Sequence, residues 1–195
     1  MAGTINGRVL IVAGSDSGGG AGIQADIKAV SALGAYAMTA ITALTAQNTL
    51  GVHGVFPIPT EFLHQQIAVV LDDLGADCIK TGMLHDSAVI EAVVAALETH
   101  APGVKLVVDP VMVAKGGAPL LMDDAVETLR TKLVPRATVL TPNLPEAEAL
   151  AGRTVSGDGD MDALGGALLA LGPQAVLLKG DHRCRDTVPA HEPGS

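Results

Sequence analysis

Apolar runs of strand length recur along the chain, and each is bounded by turn-forming or polar residues. The runs occupy residues 9–13, 37–46, 77–80, 105–108, 138–140 and 175–179. Their apolarity is continuous rather than alternating, which is typical of strands that are covered on both faces. Between them, apolar residues recur at helical spacing within residues 23–30, 63–71, 90–97, 125–133 and 164–171. This alternation predicts a largely parallel α/β sheet between two layers of helices, with right-handed crossovers.

The composition supports a single domain. The chain has 195 residues, of which 48% are hydrophobic and only 2% are aromatic. A chain of this length buries one sizeable core, here built mainly from Ala, Val, Leu and Ile. We expect one domain over residues 1–180, with a Gly/Asp-rich loop at residues 156–160, followed by an irregular tail at residues 181–195.

The charge and the cysteines argue against several classes of protein. A net charge of −9 is unfavourable for nucleic-acid binding, which needs a basic face, but a small phosphate ligand stays compatible with it. Cys78 and Cys184 show neither zinc-site nor disulfide-framework spacing. Residues 1–8 lack the design of a signal peptide, and no apolar run is long enough to span a membrane. We therefore expect a cytoplasmic protein with neither nucleic-acid nor membrane partners.

A glycine-rich segment follows the first predicted strand: Gly14-Ser15-Asp16-Ser17-Gly18-Gly19-Gly20-Ala21-Gly22. Open parallel sheets bind ligands at strand carboxyl ends, where glycines let backbone amides approach closely. A tight strand–helix turn is the alternative. The segment is not a Walker loop, because the chain contains no Gly-Lys pair. A dinucleotide fingerprint at Gly20, Gly22 and Ala25 is weak, since residues 27–60 contain no acidic residue to bind a ribose.

Other candidate residues lie near further predicted strand ends. Asp26 lies one turn inside the first helix and could face the glycine-rich segment, or it stabilises the helix N-terminus. Gln47 offers the donor and the acceptor that an aminopyrimidine edge requires, although Gln-Asn pairs also form turns. Met83 and Met112 follow two more strands, and methionine suits the lining of a flat ring. Taken singly, each methionine is more often a core residue.

The residues near the remaining strand ends are of types that can bind phosphate or a metal ion. Asp109 could hold hydrated magnesium or orient a phosphate, with a loop-capping aspartate as the equal alternative. Asn143 and Glu146 could reach magnesium waters from the start of a helix, where Pro145 fits an early position, or they could form a helix cap. Lys179 could place an ammonium near nucleotide phosphates or could face solvent.

Taken together, these strand ends resemble the hydroxymethylpyrimidine/phosphomethylpyrimidine kinases of the ribokinase-like superfamily. Long strings at residues 13–26, 41–48, 80–84, 108–112 and 140–147 carry the resemblance, in one order. It implies a three-layer α/β/α fold, incomplete at the C-terminus, and phosphorylation of 4-amino-5-hydroxymethyl-2-methylpyrimidine and then of its monophosphate, with ATP and Mg²⁺. A homodimer is also expected. Pyridoxal or pyridoxine kinase and a non-catalytic ligand-binding protein are the alternatives, and Gln47 favours the thiamine precursor.

The resemblance also implies roles for individual residues. The residues around the pyrimidine would be Gly14, Ala21, Asp26, Gln47, Met83 and Val111. The residues on the nucleotide side would be Asp109, Asn143, Glu146 and Lys179. Of these, Asn143 and Glu146 would reach the metal through water or phosphate.

The C-terminal part departs from the family pattern. The family continues past the strand at Lys179 to a Gly-Thr-Gly-Cys loop, whose amides stabilise the transferring phosphoryl group and whose cysteine is the proposed base. The chain contains no Gly-Thr-Gly, and Cys184 lies between two arginines without any such context. A frameshifted, truncated or naturally short chain with impaired catalysis is therefore expected, because an anion hole typically contributes several kcal/mol. No residue is assigned as catalytic.

Overall fold

The computed structural model describes residues 5–113, 120–122, 124–155 and 160–180. The strands within these ranges are β1 (Arg8–Asp16), β2 (Tyr36–Asn48), β3 (Gly51–Pro57), β4 (Cys78–Thr81), β5 (Lys105–Val108), β6 (Val139–Leu140) and β7 (Ala175–Val176). The α-helices are α1 (Gly22–Ala32), α2 (Thr60–Asp73), α3 (Ser87–His100), α4 (Ala125–Thr128), α5 (Leu144–Ala151) and α6 (Asp160–Leu169). After α4, the chain continues through a π-helical turn (Leu129–Leu133) and a 3₁₀ turn (Val134–Arg136).

Two regions named from the sequence fall outside the described residues. They are the tail at 181–195, with Cys184, and the Gly/Asp-rich loop at 156–160, apart from Asp160, which begins α6. Within the described ranges, no helix is long and apolar enough to cross a bilayer.

The described strands form one sheet in the order β3-β2-β1-β4-β5-β6-β7. Every neighbouring pair is parallel except β2 and β3, which are antiparallel. The predicted, largely parallel sheet is therefore confirmed. Because its parallel strands all run in one direction, their carboxyl ends lie together at one end of the sheet. Open α/β sheets bind ligands at this end.

The two faces of the sheet are covered unequally within the described residues. Helices α2 to α6 contribute to the main core, which includes Leu10, Ile79 and Leu106, whereas α1 packs on the other face against Ile11 and Ala13. Helices on both faces confirm the three-layer prediction. Among the described residues, the main contacts of α1 with the sheet are with β1 and β2.

The sequence pattern missed β3 and overextended β7. Strand β3 lies at the edge of the sheet with most of its residues exposed, so it lacks the apolar run of a buried strand. The predicted strand at 175–179 ends at Val176, although the Leu177 and Lys179 amides still donate to the carbonyls of Leu140 and Pro142. Regular pairing stops there because Pro142 has no N–H to return.

Candidate active site

The predicted site residues lie where the parallel strands end. Strand β1 runs into the glycine-rich loop, β2 ends at Asn48, and β4 is followed directly by Gly82 and Met83. Strand β5 is followed by Asp109, and residues 141–143 join β6 to α5. The site therefore consists of loops supported by neighbouring strands of a single sheet.

Asp16 organises the glycine-rich loop. Its side chain is buried, and its carboxylate accepts N–H groups from Gly18 at 2.7 Å, from Gly20 at 2.9 Å and from Ala21 at 2.8 Å. Three charge-assisted hydrogen bonds to one carboxylate hold the loop in a fixed curve. Asp16 belongs to the glycine-rich motif, but no role was predicted for it.

Two glycines of this loop make close contacts. A Cβ added to Gly14 would lie 2.4 Å from the Met83 methyl carbon, so Gly14 and Met83 are in contact. A Cβ added to Gly22 would lie 2.3 Å from the Gly14 carbonyl oxygen, and the φ of Gly22 is +56°. The Gly22 contact is with backbone and leaves no room for a side chain, whereas the Gly14 contact is with the flexible end of Met83, which would have to shift. The loop, the start of α1 and Met83 therefore pack directly against one another.

Gln47 is positioned by Ser17 of the glycine-rich loop. The Ser17 hydroxyl donates to the Gln47 carbonyl and accepts the Gln47 N–H, both at 2.8 Å. The turn that leads to β3 is made by Asn48, whose side-chain oxygen accepts the N–H groups of Leu50 and Gly51. The turn-forming role considered for the Gln-Asn pair thus belongs to Asn48.

Four charged side chains, alternately negative and positive, lie in a row across the site. Lys80 Nζ lies 2.6 Å from Asp26 Oδ2 and 3.8 Å from Asp109 Oδ2, and Lys179 Nζ lies 2.7 Å from Asp109 Oδ1. The Thr141 hydroxyl also donates to Asp109 Oδ1, at 3.3 Å. Lys179 is exposed, as its solvent-facing alternative held, and its ammonium is also paired with Asp109. We call Asp26, Lys80, Asp109 and Lys179 the ion-pair chain.

Asn143 and Glu146 form a reciprocal capping box at the start of α5. The Asn143 side chain accepts the Glu146 N–H at 2.9 Å, and the Glu146 carboxylate accepts the Asn143 N–H at 2.8 Å. Pro145 occupies an early helical position, as predicted. The helix-cap interpretation is therefore correct. It leaves a ligand role open, because the cap does not use the second carboxylate oxygen of Glu146 or the NH₂ group of Asn143, which can donate to water or a phosphate oxygen.

Glu146 is a buried acid among charged neighbours. Burial raises the pKa of its carboxyl group, while the Asn143 N–H and the positive charge of Lys179 act in the opposite direction. The nearby negative charge of Asp109 also raises this pKa. Asp109, Glu146 and Lys179 thus lie close enough to interact electrostatically. Within the part of the chain that the structure describes, no group of three or more His, Cys, Asp or Glu side chains is arranged to hold a metal ion.

The structure brings the predicted residues together in two groups. Gly14, Ala21, Gln47 and Met83 lie around the glycine-rich loop, whereas Asp109, Asn143, Glu146 and Lys179 lie around the start of α5. Val111, predicted on the pyrimidine side, donates its N–H to the Asp109 carbonyl at 2.9 Å. Met112 belongs to the main core. For this methionine, the alternative of a core residue is therefore correct.

Lys80 joins these two groups, and no role was predicted for it. The available signal was a lysine between the buried residues Ile79 and Thr81 of a short strand. A charged residue at such a position calls for a partner.

Comparison with known proteins identifies close relatives. The family model described as phosphomethylpyrimidine kinase matches residues 16–191. A hydroxymethylpyrimidine/phosphomethylpyrimidine kinase of Bacillus subtilis is 51% identical over 179 residues, covering 92% of this chain and 66% of the relative. One from Streptomyces coelicolor is 48% identical over 188 residues, covering 96% of this chain and 69% of the relative. The chain thus spans about two thirds of the length of these curated relatives.

Solved structures agree with the sequence relatives. The crystal structure of phosphomethylpyrimidine kinase from Clostridium difficile matches with a TM-score of 0.84 and 45% identity, covering 92% of this chain and 76% of that one. A pyridoxal kinase from Staphylococcus aureus, in complex with pyridoxal, matches with a TM-score of 0.81 and 37% identity, covering 91% of this chain and 66% of that one. The architecture described above is therefore that of these kinases.

Proposed function

We propose that this chain, which belongs to the phosphomethylpyrimidine kinase family, binds 4-amino-5-hydroxymethyl-2-methylpyrimidine or its monophosphate and transfers a phosphoryl group to it from ATP. One observation carries the proposal: the residues expected around the pyrimidine and those expected around the nucleotide lie in adjacent groups at one edge of the sheet. Adjacent groups are what phosphoryl transfer needs, because the reaction depends mainly on positioning.

The pyrimidine is proposed to lie against the glycine-rich loop. Gln47, with its backbone fixed by Ser17, would offer its carboxamide to the edge of the aminopyrimidine. The contact between Gly14 and Met83 would provide an apolar wall for the ring, since the thioether adapts to flat ligands. Asp26 would accept a hydrogen bond from the substrate.

The nucleotide is proposed to lie between β5, α5 and Lys179. The Lys179 side chain is 44% exposed, and its ammonium can leave Asp109 to contact phosphate oxygens. Mg²⁺ fits this group, because it is usually bound by one or two carboxylates together with substrate phosphates and several waters. Glu146 and Asn143 would reach the ion through water or phosphate oxygens, and Asp109 would remain a partner of the lysines. The ion would neutralise the charge that develops on the phosphates.

Binding calorimetry tests the pyrimidine site. Hydroxymethylpyrimidine should bind the wild-type chain, and Gln47→Ala should weaken binding at least about tenfold, because a buried polar ligand edge would lose its partner. Gln65→Ala, which removes an exposed glutamine on α2, is the matched control and should bind as the wild type does. Equal affinities for all three proteins would remove Gln47 from the site.

Turnover tests the transfer itself and separates the alternative functions. With Mg²⁺ and ATP, the chain should yield ADP and a phosphorylated pyrimidine, both detectable by ³¹P NMR, and pyridoxal offered in parallel should react more slowly. Faster reaction of pyridoxal would favour a pyridoxal kinase. Tight binding of both ligands without any turnover would favour a non-catalytic ligand-binding protein. Self-association into a homodimer remains a prediction, which sedimentation velocity can test.

A further inference from the structure

The ion-pair chain connects the two halves of the proposed site through one lysine. Lys80 is in salt-bridge contact with Asp26 on α1 and with Asp109 after β5. About a fifth of each of these three side chains is exposed, at 22%, 23% and 21% respectively. Partial burial strengthens such contacts relative to surface pairs. A single cation therefore balances one carboxylate in each half.

The surroundings of Lys80 leave it few other partners. On the sheet, its neighbours in register are Ile11 on β1 and Val107 on β5, both apolar. Its aliphatic stem lies on this apolar surface while the ammonium reaches the strand ends. Among the described residues, Asp26 and Asp109 are the carboxylates within 4 Å of its ammonium. A change in the charge or position of one carboxylate therefore changes how strongly Lys80 pairs with the other.

The contacts of Lys80 are unequal, and the second cation explains why. Asp109 has Lys179 at 2.7 Å, so Lys80 stays closer to Asp26, at 2.6 Å, than to Asp109, at 3.8 Å. Lys179 is the more exposed of the two lysines. If Lys179 leaves Asp109, two carboxylates compete for Lys80 alone.

We propose that Lys80 is a positioning residue that couples nucleotide binding to pyrimidine binding. The inference rests on the proposed function, in which nucleotide phosphates draw Lys179 away from Asp109. Asp109 then attracts Lys80, whose contact with Asp26 loosens. Asp26 Oδ2, the oxygen that Lys80 engages, then becomes available to accept a hydrogen bond from the pyrimidine. Nucleotide binding thus strengthens pyrimidine binding, and by linkage the pyrimidine strengthens nucleotide binding by the same factor.

Calorimetry with the 195-residue chain measures this coupling. Hydroxymethylpyrimidine is titrated into the chain alone and into the chain saturated with Mg²⁺ and AMP-PCP. The wild type should bind the pyrimidine at least about fivefold more tightly in the presence of the nucleotide. Lys80→Met should reduce this ratio to less than about twofold, whereas Lys80→Arg, which keeps the charge, should retain most of it. Lys105→Met, at the opposite end of β5, should leave the ratio unchanged.

The outcomes separate this inference from the proposed function. Binding of both ligands without coupling in the wild type, weaker pyrimidine binding with nucleotide, or full coupling in Lys80→Met would overturn the role of Lys80 alone. Failure of the wild type to bind either ligand would overturn the proposed function as well. If thermal melting shows that Lys80→Met is unfolded, Asp109→Asn replaces it, because it removes the carboxylate that attracts Lys80. Coupling retained in Asp109→Asn would also overturn the inference.

Discussion

The two strand–helix junctions of the site are built in opposite ways. Between β1 and α1, the chain passes through glycines, and Ala21 at the N-cap of α1 makes no side-chain hydrogen bond to the helix. Between β6 and α5, three residues suffice, and Asn143 and Glu146 close the helix N-terminus with a capping box. The first junction leaves backbone amides of its helix without a side-chain cap, whereas the second supplies its own partners.

This difference indicates what each junction provides. The first junction keeps its shape through Asp16 and through the close backbone contact of Gly22 with Gly14, so a ligand meets mainly backbone and small groups. The second presents polar side chains at a helix N-terminus that its own residues cap. We therefore expect substitutions in the first junction to have larger effects on stability than substitutions in the second.

The largest effect is expected for Gly22→Ala. The new Cβ would meet the Gly14 carbonyl oxygen at 2.3 Å, and the backbone already has a positive φ of +56°. We expect the free energy of unfolding to fall by about 3 kcal/mol, from backbone strain and overpacking together. Gly152→Ala is the matched control, since Gly152 also has a positive φ, +63°, with no atom near its missing Cβ. It should lose only about 1 kcal/mol. Equal losses in urea unfolding would refute the close contact.

Asp16→Ala should have the next largest effect. It removes one carboxylate that accepts three backbone N–H groups, but the loop is exposed enough for water to replace part of that loss. We expect a loss of about 2 kcal/mol in the free energy of unfolding. Asp73→Ala, at an exposed position at the end of α2, should change it by less than about 0.5 kcal/mol. A loss for Asp16→Ala no larger than for Asp73→Ala would show that the carboxylate does not organise the loop.

A smaller effect is expected for Asn143→Ala in the second junction. Removing the cap of α5 should cost about 1 kcal/mol of unfolding free energy. Asn143→Ser keeps a side chain that caps helices well, so it should recover most of the loss. If serine destabilises the protein as much as alanine does, the cap is not the source of the effect.

The smallest effect is a pH dependence at Glu146. Burial raises the pKa of this carboxyl group above its ordinary value of 4.5, so the folded chain retains a proton that the unfolded chain has lost. Its contribution to stability is therefore most favourable below pH 4.5 and declines as the pH rises through the pKa of the folded state. Glu146→Gln removes this decline, so the stability of the variant relative to the wild type should increase with pH above 4.5. A difference that stays constant in urea unfolding from pH 4 to pH 8 would contradict the raised pKa.

Local patterns account for the parts of the fold that the sequence predicted. Continuous apolar runs gave the buried strands, and Pro145 gave the start of α5, because burial and backbone geometry act over a few residues. Strand β3 escaped prediction because it is exposed and contains two glycines, and its pairing with β2 is a tertiary contact.

The charges of the site were less predictable than its backbone. Asp109 and Lys179 were expected on the same side, yet their pairing joins residues 70 positions apart. Lys80 contacts Asp26 across 54 positions of sequence, which no local pattern encodes. Asn143 and Glu146 were seen as a pair because they are three residues apart on one helix, the one spacing in this group that a sequence displays directly.

An NMR titration of the ¹⁵N-labelled chain tests the central claim most directly, namely that the strand carboxyl ends bind both ligands in adjacent groups. Hydroxymethylpyrimidine should shift the amide signals of Gly14, Ala21 and Gln47, and AMP-PCP with Mg²⁺ should shift those of Asp109 and Lys179. The other end of the sheet, where the parallel strands begin, has a groove lined by residues that include Gly103, Val104, Thr138 and Gln174. Shifts confined to that groove, or shifts of both ligands at one group only, would contradict the account.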